Sequence, residues 1–60
     1  MDALKFFKYD HLPLHLQMIS KPFHDLASDM LSRLPDNRER QKFLDKLIEA
    51  KDCAVRANIP

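Results

Sequence analysis

Apolar residues recur through the first half of the chain at Leu12, Leu16, Ile19, Phe23, Leu26 and Met30. The gaps run four, three, four, three, four, which is the heptad seam of an amphipathic helix. The pattern predicts a first helix over about residues 12–34. Asp10 is placed to cap its start, and Pro13 suits a first turn, where a missing N–H costs nothing. Pro22 removes the bond to the carbonyl of Met18. Because the seam keeps its phase across Pro22, a continuous helix kinked at that point is expected.

Leu34-Pro35-Asp36 ends this helix, since a proline pushes the residue before it out of the α region. Asp36 then reads as an N-cap, with Glu39 three positions on completing a capping-box-like pair. A second helix is predicted over about residues 37–57. Its apolar residues form two stripes: Leu44, Leu47, Ile48 and Val55 on one side, Phe43, Ala50, Ala54 and Ala57 towards another. Residues 1–11 fit a period of 2 as well as 3.6, and they carry Phe6, Phe7 and Tyr9. This arm is expected to pack on the helices or on a neighbouring subunit. The fold class is therefore all-α: a single domain over residues 1–60, an antiparallel helical hairpin with an N-terminal arm.

A hairpin has one internal interface, so a second apolar side asks for a second partner. Size adds to that demand, because a chain of 60 residues removes little surface from water when it folds alone. Disulfides, a metal or oligomerisation are the usual remedies. Cys53 is the sole cysteine, and His11 and His15, four apart, are an incomplete ligand set. No metal and no cofactor are expected, which leaves self-association into a homo-oligomer. The net charge of +1 gives no bulk attraction to nucleic acid or membrane, so any anion site must be local. MDALKFFKYD lacks the apolar run of a signal peptide, and no stretch approaches a membrane span. A cytoplasmic protein is the expectation.

Catalytic constellations are missing from the pattern. A chain without glycine has no Gly-rich phosphate loop, and no spacing suggests an oriented triad. Cys53, among alanines, reads as a buried structural thiol. The expectation is a protein that is not an enzyme. Binding chemistry has better candidates. Lys8-Tyr9-Asp10-His11 sets a flat aromatic beside donors, the minimum for stacking a nucleobase. Arg38 and Arg40 stand in the first turn of the second helix, where free N–H groups and the helix dipole favour an anion. Each has a plainer alternative: Tyr9 as a packing residue, the arginines paired with Asp36, Glu39 or a neighbouring chain. Along the rest of the second helix bases alternate with acids, as in Lys46–Glu49 and Asp52–Arg56. That interleaving describes a solvated face and argues against DNA.

Residues 37–59, NRERQKFLDKLIEAKDCAVRANI, resemble the terminal helix of the phage anti-CBASS cyclic-oligonucleotide sponges, relatives of the anti-Thoeris sponges. The shared pattern is Arg38-Glu39-Arg40, then Leu44, Lys46, Leu47, Glu49 and Ala50, followed by Ala54 and Ala57. The arm from Phe7 to Pro13 is similar to that family's aromatic-Tyr-His-Pro start. The family's tryptophan near Cys53 and asparagine near Val55 are absent. The resemblance implies a helical hairpin assembled into a compact oligomer, often a hexamer. It also implies sequestration, without cleavage, of cyclic di- or trinucleotides or cyclic ADP-ribose isomers made by an infected host. Carried over by position, Tyr9 and His11 would contact base or ribose, Arg38 and Arg40 phosphate, with Lys21 a further candidate. Two other readings stand beside it. One is a helical protein–protein interaction module without a nucleotide ligand; the other, a small DNA-binding regulator, is disfavoured by the charge balance.

Overall fold

The computed structural model describes residues 3–59. Ala3–Phe7 forms a short 3-10 helix, Leu14–Arg33 forms α1 and Arg38–Ala57 forms α2. The described residues contain no strand. Each long helix has 20 residues, about 30 Å at 1.5 Å per residue. The longest dimension of the described residues is 37 Å, so the two helices must lie side by side. With only residues 34–37 between them, they run antiparallel. The helical hairpin is as expected, and the arm packs against both of its own helices. No described helix is long and apolar enough to cross a membrane.

The helix ends differ from expectation in detail. The chain first turns at Tyr9–Leu12, where Leu12 N–H donates to the Tyr9 carbonyl at 3.0 Å. Pro13 is extended, with φ −56° and ψ 151°, and no side chain caps the helix, so Asp10 does not play that part. The Pro13 carbonyl accepts from Leu16 and Gln17 instead, at 2.9 and 3.0 Å. Helix α1 runs unbroken through Pro22. Pro22 and Met18 are both exposed, so water can reach the carbonyl the proline leaves without a donor. Leu34 ends the helix in an extended conformation, φ −93° and ψ 138°, as a residue before proline should. The cap of α2 is Asn37, not Asp36: its Oδ1 accepts from Arg40 N–H at 3.0 Å. Glu39 pairs with Lys42 at 3.3 Å rather than closing a capping box.

The core is small. Among the described residues the buried apolar side chains are Phe7, Ala27 and Leu44, bordered by Leu4, Phe23, Leu31, Phe43, Leu47 and Ile48. Ser20, on α1, is also fully buried. The inward line of α1 is therefore Ser20, Phe23, Ala27 and Leu31. The seam read from the large apolar residues shares Phe23 with this line, and its Leu12, Leu16, Ile19 and Met30 are half-buried, while the fully buried Ser20 and Ala27 lie one position beyond Ile19 and Leu26. Leu26 of that seam stays 41% exposed. The reason is steric: small residues at positions 20 and 27 let the arm and α2 come close, and a count of large side chains passes over them. On α2, Leu44 is buried and Leu47, Ile48 and Val55 are half-buried, while Ala50 and Ala57 face out. Cys53 lies on that open side and is exposed, which corrects its reading as a buried thiol.

Lys51 ties the arm down. Its Nζ donates to the Phe6 carbonyl at 2.7 Å and stands 6.0 Å from the Phe7 ring centroid. Truncation at the centre of this arrangement should be severe. Phe7→Ala is expected to cost about 3–5 kcal/mol, as large as the whole stability of many small domains, and to abolish cooperative melting followed by circular dichroism. Asn37→Ala should cost only about 1 kcal/mol, the worth of one N-cap, and lower the melting temperature while keeping a single transition.

Candidate functional site

The turn after the 3-10 helix lays Tyr9 across α1. Its ring meets His24 edge-on, with centroids 5.3 Å apart and an interplanar angle of 68°. Lys8, Tyr9, Asp10 and His24 line a depression of about 250 Å³ there. Lys21 lies one helical turn before His24 on α1. His24 was not singled out by the sequence. Only the fold shows that the arm returns over the middle of α1 to meet it.

An ion pair fixes the Lys21 ammonium. Its Nζ donates to Asp25 Oδ2 at 2.8 Å, and His24 Nδ1 lies 3.4 Å from the other carboxylate oxygen. The hydrogen bond from Lys21, joined by His24, holds the Asp25 carboxyl below its ordinary 3.8, and the same bond raises Lys21 above 10.5. Both side chains are 54% exposed, so the pair contributes little stability and acts mainly to orient the cation.

On the other side of the arm, a cleft of about 340 Å³ opens between the arm, α1 and α2. Lys5, Lys8, Lys51 and Arg56 line it, together with His11. Asp52 is its single carboxylate, and it pairs with Lys51 at 3.0 Å. Four of the ten basic residues of a nearly neutral chain thus meet one of the nine acids in a single cleft. Phe6, Leu12 and Val55 supply an apolar wall. Ser20 lines the same cleft, and its hydroxyl is buried without a hydrogen-bond partner. Such a group costs about 1–3 kcal/mol unless something satisfies it.

Arg38 and Arg40 stand elsewhere, beside the 34–37 connection. Eleven residues separate Arg40 from Lys51 along α2, about 16 Å of helix. Arg40 is held locally, with Nη2 3.3 Å from Asp36 Oδ1 and Nη1 donating to the Leu34 carbonyl at 3.5 Å. Arg38 is exposed and makes no ion pair with a described residue. Within one chain, then, the structure brings Tyr9 onto His24, one turn from Lys21, and sets His11 in the adjacent cleft, while the two arginines lie apart. The charge pairs expected at Lys46–Glu49 and Asp52–Arg56 do not form. Lys42–Glu39, Lys51–Asp52 and a 3.5 Å contact from Arg56 Nη2 to Cys53 Sγ take their place. Among the described residues no three potential metal ligands cluster.

No family model, curated protein or solved structure matches the chain.

The ion pair at Lys21 makes a prediction about pH. A carboxylate with a lowered folded value contributes stability above its ordinary pKa and loses it as pH falls through the folded value. The Asp25 carboxyl, followed by carbon NMR, should therefore titrate below 3.8, and Lys21→Met should move its midpoint upward. An unchanged midpoint in that variant would assign the shift to another group.

Proposed function

We propose that this chain is a non-enzymatic binding protein that sequesters a cyclic oligonucleotide messenger and works as a homo-oligomer. The observation that carries the reading is the meeting of Tyr9 with His24, one helical turn from Lys21: an aromatic ring oriented by a second ring, with an ion-paired cation on the same stretch of α1. A base stacked on an aromatic face and a phosphate near an ammonium are the two contacts a nucleotide requires. The likeness of residues 37–59 and of the arm to the anti-CBASS sponges supports the same ligand class.

What one chain leaves uncovered supports self-association. Leu14 is 74% exposed and Met18 71%, one turn apart on α1, and Ala50, Cys53 and Ala57 are open on α2. Three buried apolar side chains are a meagre core for an isolated domain. In an assembly, Arg38 and Arg40 of one subunit would reach a ligand held by Tyr9, His11 and Lys21 of another. A second reading rests on the same exposed leucine and methionine: an interaction module whose α1 face docks a different protein and binds no nucleotide.

Calorimetric titration with cyclic di- and trinucleotides and cyclic ADP-ribose isomers tests the reading, with mass measured on the same sample. Saturable binding by an oligomer and recovery of intact ligand on denaturation are expected. Tyr9→Ala and Lys21→Ala should each weaken binding by roughly tenfold or more, the worth of a stacked base or a charged hydrogen bond. Arg40→Ala should also weaken it, with the oligomer intact. A well-folded oligomer that binds none of these ligands sinks the sponge reading and favours the interaction module.

A further inference from the structure

The cleft on the far side of the arm has chemistry that Tyr9 and Lys21 do not use. Lys5, Lys8 and Arg56 make no ion pair with any described carboxylate; Lys5 Nζ lies 5.1 Å from the Phe6 ring and Arg56 reaches only the Cys53 sulfur, a weak acceptor. These cations converge on a concave surface, where a shared anion is held more strongly than by any one of them in open water. Ser20 adds an independent sign of a ligand. Ser20 lines the cleft and its hydroxyl is fully buried, yet it does not bond back to its own helix, as a serine in mid-helix readily does. An oxygen seated over Ser20 would provide the missing acceptor.

We propose that this cleft is a binding site for a phosphate monoester of a compact aromatic or apolar alcohol. Phosphate oxygens accept from Ser20 Oγ, Lys8 and Arg56, and the organic group rests on Phe6 and Val55. A dianion matches several unpaired cations better than a carboxylate does, and its oxygens can take donors from several directions. The apolar wall selects an ester over bare phosphate. A cleft of about 340 Å³ falls at the small end of ligand pockets and limits the guest to a compact molecule. The site does not depend on the cyclic oligonucleotide reading: the two depressions share Lys8, and His11, assigned above to the nucleotide, lines this cleft, but Phe6, Ser20, Val55 and Arg56 belong to the cleft alone.

The test is an NMR titration of the full chain with phenyl phosphate, inorganic phosphate and phenol at constant ionic strength. Phenyl phosphate should give saturable amide shifts centred on Phe6, Ser20 and Arg56, and should bind more tightly than either fragment. Arg56→Ala should weaken it by about tenfold, the loss of one charged hydrogen bond. Ser20→Ala should also weaken it, yet should not lower the melting temperature of the free protein, because the hydroxyl it removes has no partner there. A serine with a purely structural role would give the reverse pattern. The proposal is overturned if no saturable shifts appear, or if both variants bind as the parent does. Equal affinity for inorganic phosphate would overturn the ester assignment, and equal affinity for phenol the anion site. A cyclic dinucleotide titrated in parallel reports on Tyr9 and Lys21, so either site can fail without the other.

Discussion

Burial of Phe7 between the two helices is the contact on which the rest of this small structure depends. Two antiparallel helices of this length meet along one narrow seam, and here the seam is thin: Ala27 from α1 and Leu44 from α2 are its fully enclosed apolar members. Phe7 adds the largest buried side chain and reaches the seam from a third element. Lys51 secures that element from the other side by donating to the Phe6 carbonyl. The arm thereby replaces the third helix that a three-helix bundle would use. It covers apolar surface with only five residues of 3-10 helix.

The same constraint produces the candidate sites. Once Phe7 is inserted, the residues on either side of it are held against the helices. Tyr9 is carried over α1 to His24, while Lys5, Phe6 and Lys8 form the rim of a cleft facing α2. Lys51 therefore has two parts, as the clamp on the arm and as one of the cleft's cations. Cations accumulate there although the chain as a whole is nearly neutral, because its acids are spent elsewhere. Asp25, Asp29, Asp36 and Glu39 each hold a nearby base on the helix surfaces or at the connection. The local excess of positive charge comes from placement, not from composition.

Apolar surface remains on the outside for a related reason. The inward line of α1 is set by small residues that permit close approach, so several of its larger side chains are turned outward. Leu14 and Met18 are the plainest cases. Covering them with a second copy of the chain would enlarge a core that is meagre in isolation, which is the physical case for assembly.

Much of the architecture was legible in the amino-acid pattern. Helical periodicity, the proline after Leu34 and the polar start of α2 determine two helices with a tight connection, because these are local properties of the backbone. The sequence placed Tyr9 and Lys21 on separate elements as candidates, and local spacing carried no sign that the arm lays Tyr9 on His24, one turn from Lys21. Asn37 displaced Asp36 as the cap because neighbouring polar residues compete for the same N–H groups. The large apolar seam of α1 apart from Leu26 is at least half-buried, but its fully buried residues were missed, since Ser20 and Ala27 carry no hydrophobic signal and become core only when another element closes over them. The partnership of Tyr9 with His24, the unpaired hydroxyl of Ser20 and the basic cleft were decided by tertiary structure alone. All three require the arm to fold back across the hairpin, a contact between residues far apart in the chain that no local pattern specifies.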